Sequence, residues 1–270
     1  MPAAPPDALA PLRLPAFPAP HGFTTRAGGV GVGRYATLNL GTHVGDDADV
    51  VAENRRRALR AAEADPARTA HARQVHGATV LDAADAADGV REGDALVATR
   101  PGWTVVVTVA DCVPVLLSTP DARAVAAVHA GWRGLVAGVV DAAVAALAAR
   151  SGVGPEALHA AVGPHAGAGA WAADRPGYQV GPEVVAAYAD AGFPDAVARP
   201  DPRAAGRFEV SLEAATRAAL ARAGVRPDRV AVGPWDTLAD AERFFSHRRE
   251  GGSTGRHWAW VRTVDAAGGW

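Results

Sequence analysis

Three residues of this sequence have side chains that together can bind a transition metal. Cys112, the only cysteine among the 270 residues, comes just after an almost unbroken apolar run that begins at Val105. His76 lies in the segment Gln74-Val75-His76-Gly77, and His129 opens the segment His129-Ala130-Gly131-Trp132-Arg133-Gly134. Two imidazoles and one thiolate hold zinc with three protein ligands and leave the fourth position open, which is the arrangement of a catalytic zinc. We therefore hypothesise that these three residues bind zinc.

The spacing of these residues leaves other interpretations open. His76 stands 36 positions before Cys112, and His129 stands 17 positions after it, so no compact metal motif is present. A single cysteine is often a small buried apolar residue, and a histidine beside glycine is often a capping or core residue. The zinc hypothesis depends on where the fold places the three residues.

Composition excludes several classes of function. All 27 basic residues are arginine, which excludes a lysine Schiff base and a P-loop lysine and leaves anion binding to arginine. The net charge is −2, with acids and bases interspersed, so we expect no nucleic-acid partner and no membrane partner. One cysteine forms no intramolecular disulfide, and the first twenty residues lack the basic start and continuous apolar segment of a secretory signal. We therefore predict a cytoplasmic protein.

The chain reads as one domain of mixed α/β class, preceded by a flexible Pro- and Ala-rich arm over residues 1–20. The domain spans residues 21–270. Apolar runs on consecutive positions predict strands that are covered on both faces. A loop is predicted over Pro194 to Arg207. The predicted strands are Thr69 to Leu81, Thr104 to Val109, Arg123 to Val128, Ala157 to Val162, and segments near Val230 and Trp258. The predicted helices are Asp49 to Ala64, Leu135 to Ala149, Glu183 to Ala191 and Leu212 to Ala223.

This order of elements places Cys112 and His129 at the C-terminal ends of strands, where ligands bind in layered α/β folds. The segment Gly31 to Ala36 matches a dinucleotide fingerprint, but neither a buried strand before it nor a helix after it is predicted, so we set a Rossmann site aside. Arg26, beside Gly28-Gly29, can present a guanidinium to phosphate or can be a solvated turn residue. The loop from Phe244 to Arg256 can close over a ligand or can simply pack.

A copper oxidase site is disfavoured by the same sequence. Multicopper centres need many imidazoles, usually in paired His-x-His segments, and a blue-copper site often adds an axial methionine. The nine histidines include no His-x-His pair, and the only methionine is Met1. Zinc is therefore expected instead of copper.

Several motifs in this sequence resemble those of the multicopper polyphenol oxidase, or laccase-domain, family. Bacterial members of this family are also described as purine nucleoside phosphorylases and as peptidoglycan editing factors. The matching stretches run in family order over nearly the whole chain. They are Thr24-Thr25-Arg26-Ala27-Gly28-Gly29, Leu38-Asn39-Leu40-Gly41, Gln74-Val75-His76-Gly77, Gly93-Asp94-Ala95, Ala110-Asp111-Cys112-Val113-Pro114, residues 127–134, Gly163-Pro164 and residues 244–249.

The resemblance implies a fold, a metal and a reaction. The fold is a single α/β domain in which two mixed sheets are sandwiched between helices. The metal is zinc, held by His76, Cys112 and His129. The reaction is phosphate-dependent cleavage of purine nucleosides, including adenosine, inosine, guanosine and 5′-methylthioadenosine, to base and ribose 1-phosphate. Hydrolytic deamination of adenosine is also implied.

Four arginines are candidates for binding substrate or phosphate at such a site. Arg26 and Arg133 are the first candidates, and Arg248 and Arg249 are the alternatives. The sequence also departs from the family pattern in two places. His165 and Trp235 stand in segments where family members often carry cysteines, and His247 stands where tyrosine is usual. These departures leave the three zinc ligands in place but weaken the inference about substrate.

The sequence therefore favours a zinc-dependent purine nucleoside phosphorylase that also deaminates adenosine. Two alternatives remain open. One is a cysteine amidohydrolase that edits an amino acid on a cell-wall precursor, with Cys112 as nucleophile and His129 or His76 as base. The other is a non-catalytic accessory protein whose metal only stabilises the fold.

Overall fold

Two β-sheets stacked face to face carry most of the core. The computed structural model describes residues 9–87, 89–169, 177–194 and 197–265. The strands are β1 (His21–Phe23), β2 (Thr69–Ala70), β3 (Val80–Asp82), β4 (Ala95–Ala98), β5 (Thr104–Val109), β6 (Val113–Ser118), β7 (Val125–Ala130), β8 (His159–Val162), β9 (Tyr178–Val180), β10 (Ala198–Pro200), β11 (Phe208–Val210), β12 (Val230–Val232) and β13 (His257–Arg262). The helices are α1 (Ala48–Ala61), α2 (Trp132–Val136), α3 (Val139–Ser151), α4 (Pro182–Asp190) and α5 (Leu212–Arg222).

Both large sheets are mixed. The four-stranded sheet has the order β1-β13-β5-β2, with β13 antiparallel to β5 and β2 parallel to β5. The six-stranded sheet has the order β12-β8-β6-β7-β4-β3, with parallel pairs at its two edges. A small antiparallel sheet of β10, β11 and β9 stands apart from these two. The chain passes directly from the first large sheet to the second between β5 and β6.

The side chains of β5 show why its sequence carries apolar residues on consecutive positions. Val105 and Val107 belong to the core between the two large sheets, whereas Val106 packs outward with Leu38 and Ala58, a residue of α1. On the far side of the six-stranded sheet, α3 and α5 cover a second core with their alanine and leucine side chains. The layers are therefore helix, sheet, sheet, helix, as the family resemblance implied.

The strand predicted over Thr69 to Leu81 is wrong in its central part. Only β2 and β3, at its two ends, are extended strands, and residues 71–79 form a loop. His76 in this loop has a φ of 61°, and three successive N–H groups, those of residues 75–77, donate to the Asp94 carboxylate. A backbone whose N–H groups converge on one carboxylate cannot pair with a neighbouring strand.

Several other boundaries also differ from the prediction. The helix predicted from Leu135 to Ala149 begins earlier, at Trp132, and is divided into α2 and α3 by Gly138, whose φ is 82°. The left-handed conformation at this glycine ends one helix and starts the next. The strands β1, β4, β6, β9 and β11 were not predicted, and the loop predicted from Pro194 to Arg207 contains β10.

The segment 9–20 packs against the four-stranded sheet, although composition predicted a flexible arm for residues 1–20. Leu12 pairs with Phe23, and the side chains of Leu14 and Phe17 are buried in the core between the sheets. These apolar side chains anchor the segment. Residues 1–8 of the predicted arm lie outside the described residues. Within the described part of the chain, no helix combines the length and apolar character needed to cross a membrane.

Candidate metal centre

The side chains of His76, Cys112 and His129 converge from three separate segments. His76 lies in the loop between β2 and β3, Cys112 in the connection between β5 and β6, and His129 within β7. Their ligand atoms all lie within 4.8 Å of one another, and Cys112 Sγ is 4.0 Å from His76 Nε2. The two imidazole rings meet edge to face, with centroids 4.8 Å apart. The fold thus brings together the three residues that the sequence selected, as a group that could hold a metal ion.

Asp94, which directly precedes β4, connects the two histidines. Its carboxylate is fully buried and accepts a hydrogen bond from His129 Nδ1 at 2.8 Å. The same carboxylate accepts the backbone N–H groups of Val75, His76 and Gly77 at 3.2, 2.9 and 2.7 Å. One buried anion therefore orients the His129 ring and stabilises the left-handed backbone at His76.

Asp111, which directly precedes Cys112, anchors a neighbouring loop. It has a φ of 85° at the point where the chain leaves β5, and its side chain is buried. Its carboxylate accepts hydrogen bonds from Thr237 Oγ1 at 2.6 Å, Ser246 Oγ at 3.1 Å and the Arg248 backbone N–H at 2.7 Å. These bonds hold the loop from residue 236 to residue 256 beside the metal centre.

Gly131 allows the backbone after β7 to pass close to the centre. A methyl group at this position would lie 2.8 Å from Cys112 Sγ and 3.1 Å from the His76 ring. Both distances are shorter than a normal contact, so only glycine fits here without displacing the two side chains. The sequence after His129 is therefore adapted to the presence of the other two residues.

The charges of Cys112 and His129 stabilise each other. Burial alone raises the pKa of the Cys112 thiol, but the charge of His129 and hydrogen bonds from His129 and His76 lower it to about 6. Burial alone lowers the pKa of His129, but the Cys112 charge and the hydrogen bond to Asp94 raise it to about 9. The metal-free centre therefore holds a thiolate beside an imidazolium at neutral pH.

The donor set fits a metal ion such as zinc. A thiolate and two imidazoles are ligands that zinc prefers, and the Cys112 pKa provides the thiolate at neutral pH. The Asp94 carboxylate accepts a hydrogen bond from His129 Nδ1, so Nε2 of the same ring is available to coordinate a metal. His76 is exposed and Cys112 is half-buried, so the centre opens to solvent on one side. A substrate could approach the centre from this solvent-exposed side.

Arg26 and Arg249 lie in the loops beside the centre and meet at Glu250. Arg26 donates from Nε to the Ala36 carbonyl and from Nη1 to the Ala241 carbonyl, and its guanidinium stacks on Phe245. Arg249 donates to the carbonyls of residues 237, 238 and 244 and to the Glu250 carboxylate. The hydrogen bonds of both guanidiniums therefore hold loops together.

Among the described residues, Arg133 and Arg248 have fewer hydrogen-bond partners than Arg26 and Arg249, so more of their N–H groups are available to a ligand. Arg133 is exposed on the first turn of α2, two residues after Gly131, and its guanidinium lies 4.3 Å from the Trp132 ring centroid. Arg248 is also exposed, stacks on Tyr178 at 4.0 Å and donates from Nη1 to the Gln179 carbonyl. Both arginines extend from segments that contact the centre.

Asp94 and Asp111 are the residues around the centre whose roles the sequence did not reveal. Both were visible in motifs, but an aspartate before a buried strand equally indicates a turn or a cap. Their expected burial could have revealed these roles. An acidic side chain next to a fully apolar strand is buried, and it needs several hydrogen-bond donors to be stable there. The sequence does not identify those donors because they come from distant segments.

Comparisons with known proteins agree with the fold and the motifs. A family model described as multi-copper polyphenol oxidoreductase laccase matches residues 20–263. A protein from Deinococcus radiodurans named purine nucleoside phosphorylase is 42% identical over 92% of this chain and 90% of its own length. The Escherichia coli protein named purine nucleoside phosphorylase YfiH is 36% identical over 91% of this chain and 96% of its own length.

Solved structures show the same architecture. The crystal structure of YlmD from Geobacillus stearothermophilus superimposes with a TM-score of 0.83 at 31% identity, and covers 96% of this chain and 100% of that one. NMB0706 from Neisseria meningitidis superimposes with a TM-score of 0.83 at 33% identity over the same shares. The chain therefore belongs to the multi-copper polyphenol oxidoreductase laccase family.

Proposed function

We propose that this protein is a zinc-dependent purine nucleoside phosphorylase. The observation that carries the proposal is the convergence of two imidazoles and one thiolate on one point that is open to solvent. The reaction class comes from the names of the relatives, which are purine nucleoside phosphorylases by name. The name of the family refers to several copper ions, but the described residues contain one such three-residue group, which favours a single metal.

The residues around the centre have separate tasks in this proposal. His76, Cys112 and His129 hold zinc, which when bound supplies Lewis acidity at the position that the protein leaves open. Asp94 fixes the orientation of His129 and the loop that carries His76. Positioning of this kind reduces the cost of organising the site during the reaction.

The proposed reaction needs a purine nucleoside and inorganic phosphate as substrates. A phosphate oxygen bonds to the ribose C1′ and the bond from C1′ to the purine nitrogen breaks. The proton that hydrogen phosphate gives up ends on that nitrogen, so the base leaves as a neutral purine. Arg133 and Arg248 have free N–H groups on the open side and are suited to contact anionic or polar parts of substrate. Arg26 and Arg249 act in this proposal mainly by holding the surrounding loops.

Deamination of adenosine is a second activity that we propose for the same centre. It needs water instead of phosphate and changes the purine at C6 instead of breaking the glycosidic bond. The substrates proposed for phosphorolysis are adenosine, inosine, guanosine and 5′-methylthioadenosine. A cytoplasmic location suits a site that depends on one reduced thiol.

Product analysis tests the proposal. Adenosine is incubated with the protein in phosphate-free buffer and in phosphate buffer, and the products are separated by chromatography. We expect adenine and ribose 1-phosphate only with phosphate, and inosine in both buffers if deamination occurs. Equal release of adenine in the two buffers would show hydrolysis and contradict phosphorolysis.

A cysteine amidohydrolase is the second candidate, and one observation favours it. Cys112, His129 and Asp94 form a chain in which the thiol pKa is lowered to about 6 and the imidazole is held by a buried carboxylate. A nucleophilic cysteine requires this arrangement. Metal content separates the two candidates, because a thiolate bound to zinc is a poor free nucleophile. If no metal is found and an amino acid is released from a muramyl-peptide precursor, the second candidate is favoured.

A non-catalytic accessory role is distinguished by turnover. A protein of this kind would hold zinc and be stabilised by it, but would leave every nucleoside and cell-wall precursor unchanged. The product analysis with adenosine, together with the assay of amino-acid release from the muramyl-peptide precursor, therefore separates all three alternatives.

A further inference from the structure

Arg55 and Arg256 converge on one short segment of the chain, residues 39–43. Arg55, in α1, donates from Nε to the Leu40 carbonyl at 3.0 Å. Arg256, just before β13, donates its backbone N–H to Asn39 Oδ1 at 2.9 Å, and its side chain passes directly over Gly41. A methyl group on Gly41 would lie 2.7 Å from Arg256 Cγ. The two side chains therefore flank the same dipeptide, Leu40-Gly41.

Neither guanidinium has a carboxylate partner among the described residues. Many other arginines of the chain do form ion pairs, among them Arg57 with Glu53 and Arg222 with Asp141. Arg55 and Arg256 are both half-buried, and burial lowers the pKa of each. A half-buried cation without a counter-ion is unfavourable, and a bound anion would remove that cost.

The surroundings hold both guanidiniums in fixed positions. The Arg55 guanidinium lies 5.4 Å from the Trp258 ring centroid, and the His71 ring packs on the same tryptophan at 4.9 Å. Arg256 donates from Nη1 to the Thr254 and Gly255 carbonyls at 2.8 and 3.0 Å. Nη2 of Arg256 lies 3.4 Å from His247 Nδ1. The remaining N–H groups, Nη1 and Nη2 of Arg55 and Nε of Arg256, have no hydrogen-bond partner within the described ranges. Preorganised cations lose little conformational entropy on binding an anion.

His43 reports a positive potential at this place. It is exposed on the same segment, two residues after Gly41, and its pKa is lowered by burial and by the charges of Arg256 and Arg55. Burial and the Arg55 charge also lower the pKa of His71, to about 3. Two separate imidazoles therefore experience the positive charges of these arginines. The charges of Asp111 and Glu250 act on Arg256 in the opposite sense, but neither forms an ion pair with it among the described residues.

The cluster lies beside the metal centre. Arg256 is followed by His257, the first residue of β13, which pairs with Val109 at the end of β5. Asp111 and Cys112 come two and three residues after Val109. The charges of Asp111 and Cys112 in turn raise the pKa of Arg256, although burial outweighs them. An anion held by Arg256 would thus lie close to a substrate at the centre.

We propose that Arg55, Arg256 and His43 form an anion site that binds inorganic phosphate next to the metal centre. The identification of the anion as phosphate rests on the proposed phosphorolysis, in which phosphate is the second substrate. Guanidinium groups bind phosphate through paired, charge-assisted hydrogen bonds. The site differs from the four arginines that the sequence selected, Arg26, Arg133, Arg248 and Arg249.

Three variants and one matched control test the site. Arg55→Met and Arg256→Met keep the packed stems and remove the charges, and His43→Ala removes an exposed ring. Arg56→Met is the control, since Arg56 lies on the same helix but faces Glu53 in an exposed ion pair. Phosphate binding is measured by calorimetry without nucleoside, and circular dichroism establishes that each variant is folded.

We expect Arg55→Met and Arg256→Met each to weaken phosphate binding about tenfold or more, since each loses charge-assisted hydrogen bonds. His43→Ala should change affinity about threefold or less, because His43 is neutral near the two arginines. Arg56→Met should bind like the parent. If Arg256→Met does not fold, Arg55→Met decides the matter. Unchanged affinity in Arg55→Met would overturn the proposal.

Two further measurements separate this proposal from the proposed function. If the parent does not cleave nucleosides but phosphate binding still depends on Arg55, the anion site stands and phosphorolysis fails. If the parent cleaves nucleosides and Arg55→Met keeps the parental phosphate KM, phosphorolysis stands and the anion site fails. Adenosine 5′-monophosphate is titrated in parallel. Loss of its binding alone, with phosphate binding unchanged, would show a nucleotide site and also overturn the proposal.

Discussion

Asp94 is the residue on which the geometry of the centre depends most. It is fully buried and accepts four hydrogen bonds, three from the loop that carries His76 and one from His129. A carboxylate accepts all four, whereas an amide of the same shape directs two N–H groups toward donors. The residue that holds the ligands is therefore as specific as the ligands themselves.

The Asp94→Asn variant should bind zinc about 10- to 100-fold more weakly, which is the usual cost of losing a hydrogen bond to a metal-bound histidine. Zinc affinity is measured by competition with a chromophoric chelator. Asp228→Asn is the control, because Asp228 forms an exposed ion pair with Arg226. Equal zinc affinity in Asp94→Asn and in the parent would show that Asp94 does not position the ligands.

The Cys112 thiol should ionise well below its ordinary range in the metal-free protein. Its pKa is lowered to about 6 by His129, after burial has been overcome, so the thiolate is present above pH 6 and is lost as the pH falls through 6. Thiolate absorbance near 240 nm, recorded against pH, measures this directly. The His129→Ala variant should shift the midpoint upward, since the stabilising charge is lost. If the titration midpoint of Cys112 in the parent were near that of an ordinary thiol, the ion pair between Cys112 and His129 would be contradicted.

At the scale of elements, the turn after β7 is shaped by the centre beside it. Gly131→Ala should lower zinc affinity about tenfold or more while the fold stays intact, because the added methyl group would lie 2.8 Å from Cys112 Sγ. The competition assay used for Asp94 measures the change.

Gly77→Ala is the matched control for Gly131→Ala. A methyl group there would lie 3.7 Å from its nearest neighbours, an ordinary contact, although Gly77 is equally close to the centre. We expect parental zinc affinity in this variant. Equal losses in the two variants would show that any added carbon near the centre is harmful, and that the close approach at Gly131 is not the cause.

The predictable elements are those whose pattern is local. The strand Thr104–Val109 was predicted at its exact bounds, and the helix Leu212–Arg222 within one residue, because continuous apolar runs and helical periodicity need no information from elsewhere. The missed strand β6 follows β5 after three residues and belongs to a different sheet. Pro114 within β6 and the short connection before it made this change of sheet difficult to predict from the sequence.

The grouping of the three side chains was predictable from their residue types, but the residues that support them were not. Cysteine and histidine are rare and chemically distinctive, so His76, Cys112 and His129 stand out in the sequence. The anchoring carboxylates and the cation pair of Arg55 and Arg256 depend on which distant segments meet. His76, for example, was placed in a strand, whereas three N–H groups bonded to Asp94 make this segment a loop.

At the scale of the whole molecule, the centre connects the two large sheets. His76 follows β2 of the four-stranded sheet, Cys112 stands at the crossing between the sheets, and His129 lies in β7 of the six-stranded sheet. A bound ion would therefore tie both layers together. Ligands that bind only the folded state stabilise it in proportion to the logarithm of their concentration over Kd.

Removal of metal should therefore destabilise the entire fold. We expect chelation to lower Tm by about 5–15 °C, which corresponds to about 3–4 kcal/mol of binding energy for a chain of this size. Differential scanning calorimetry before chelation, after chelation and after return of zinc measures the effect. The Cys112→Ala variant serves as the control and should show one low Tm in all three states. If the Tm of the parent did not change on chelation, a metal bound by residues of both sheets would be contradicted.

The central claim is that one zinc ion is bound by two imidazoles and one thiolate. X-ray absorption at the zinc edge of the purified protein tests it most directly, because sulfur and nitrogen ligands differ in distance and scattering. We predict one sulfur at about 2.3 Å and two imidazole nitrogens at about 2.0–2.1 Å, with one further light ligand. A zinc shell without sulfur, or a copper edge in place of zinc, would contradict the account.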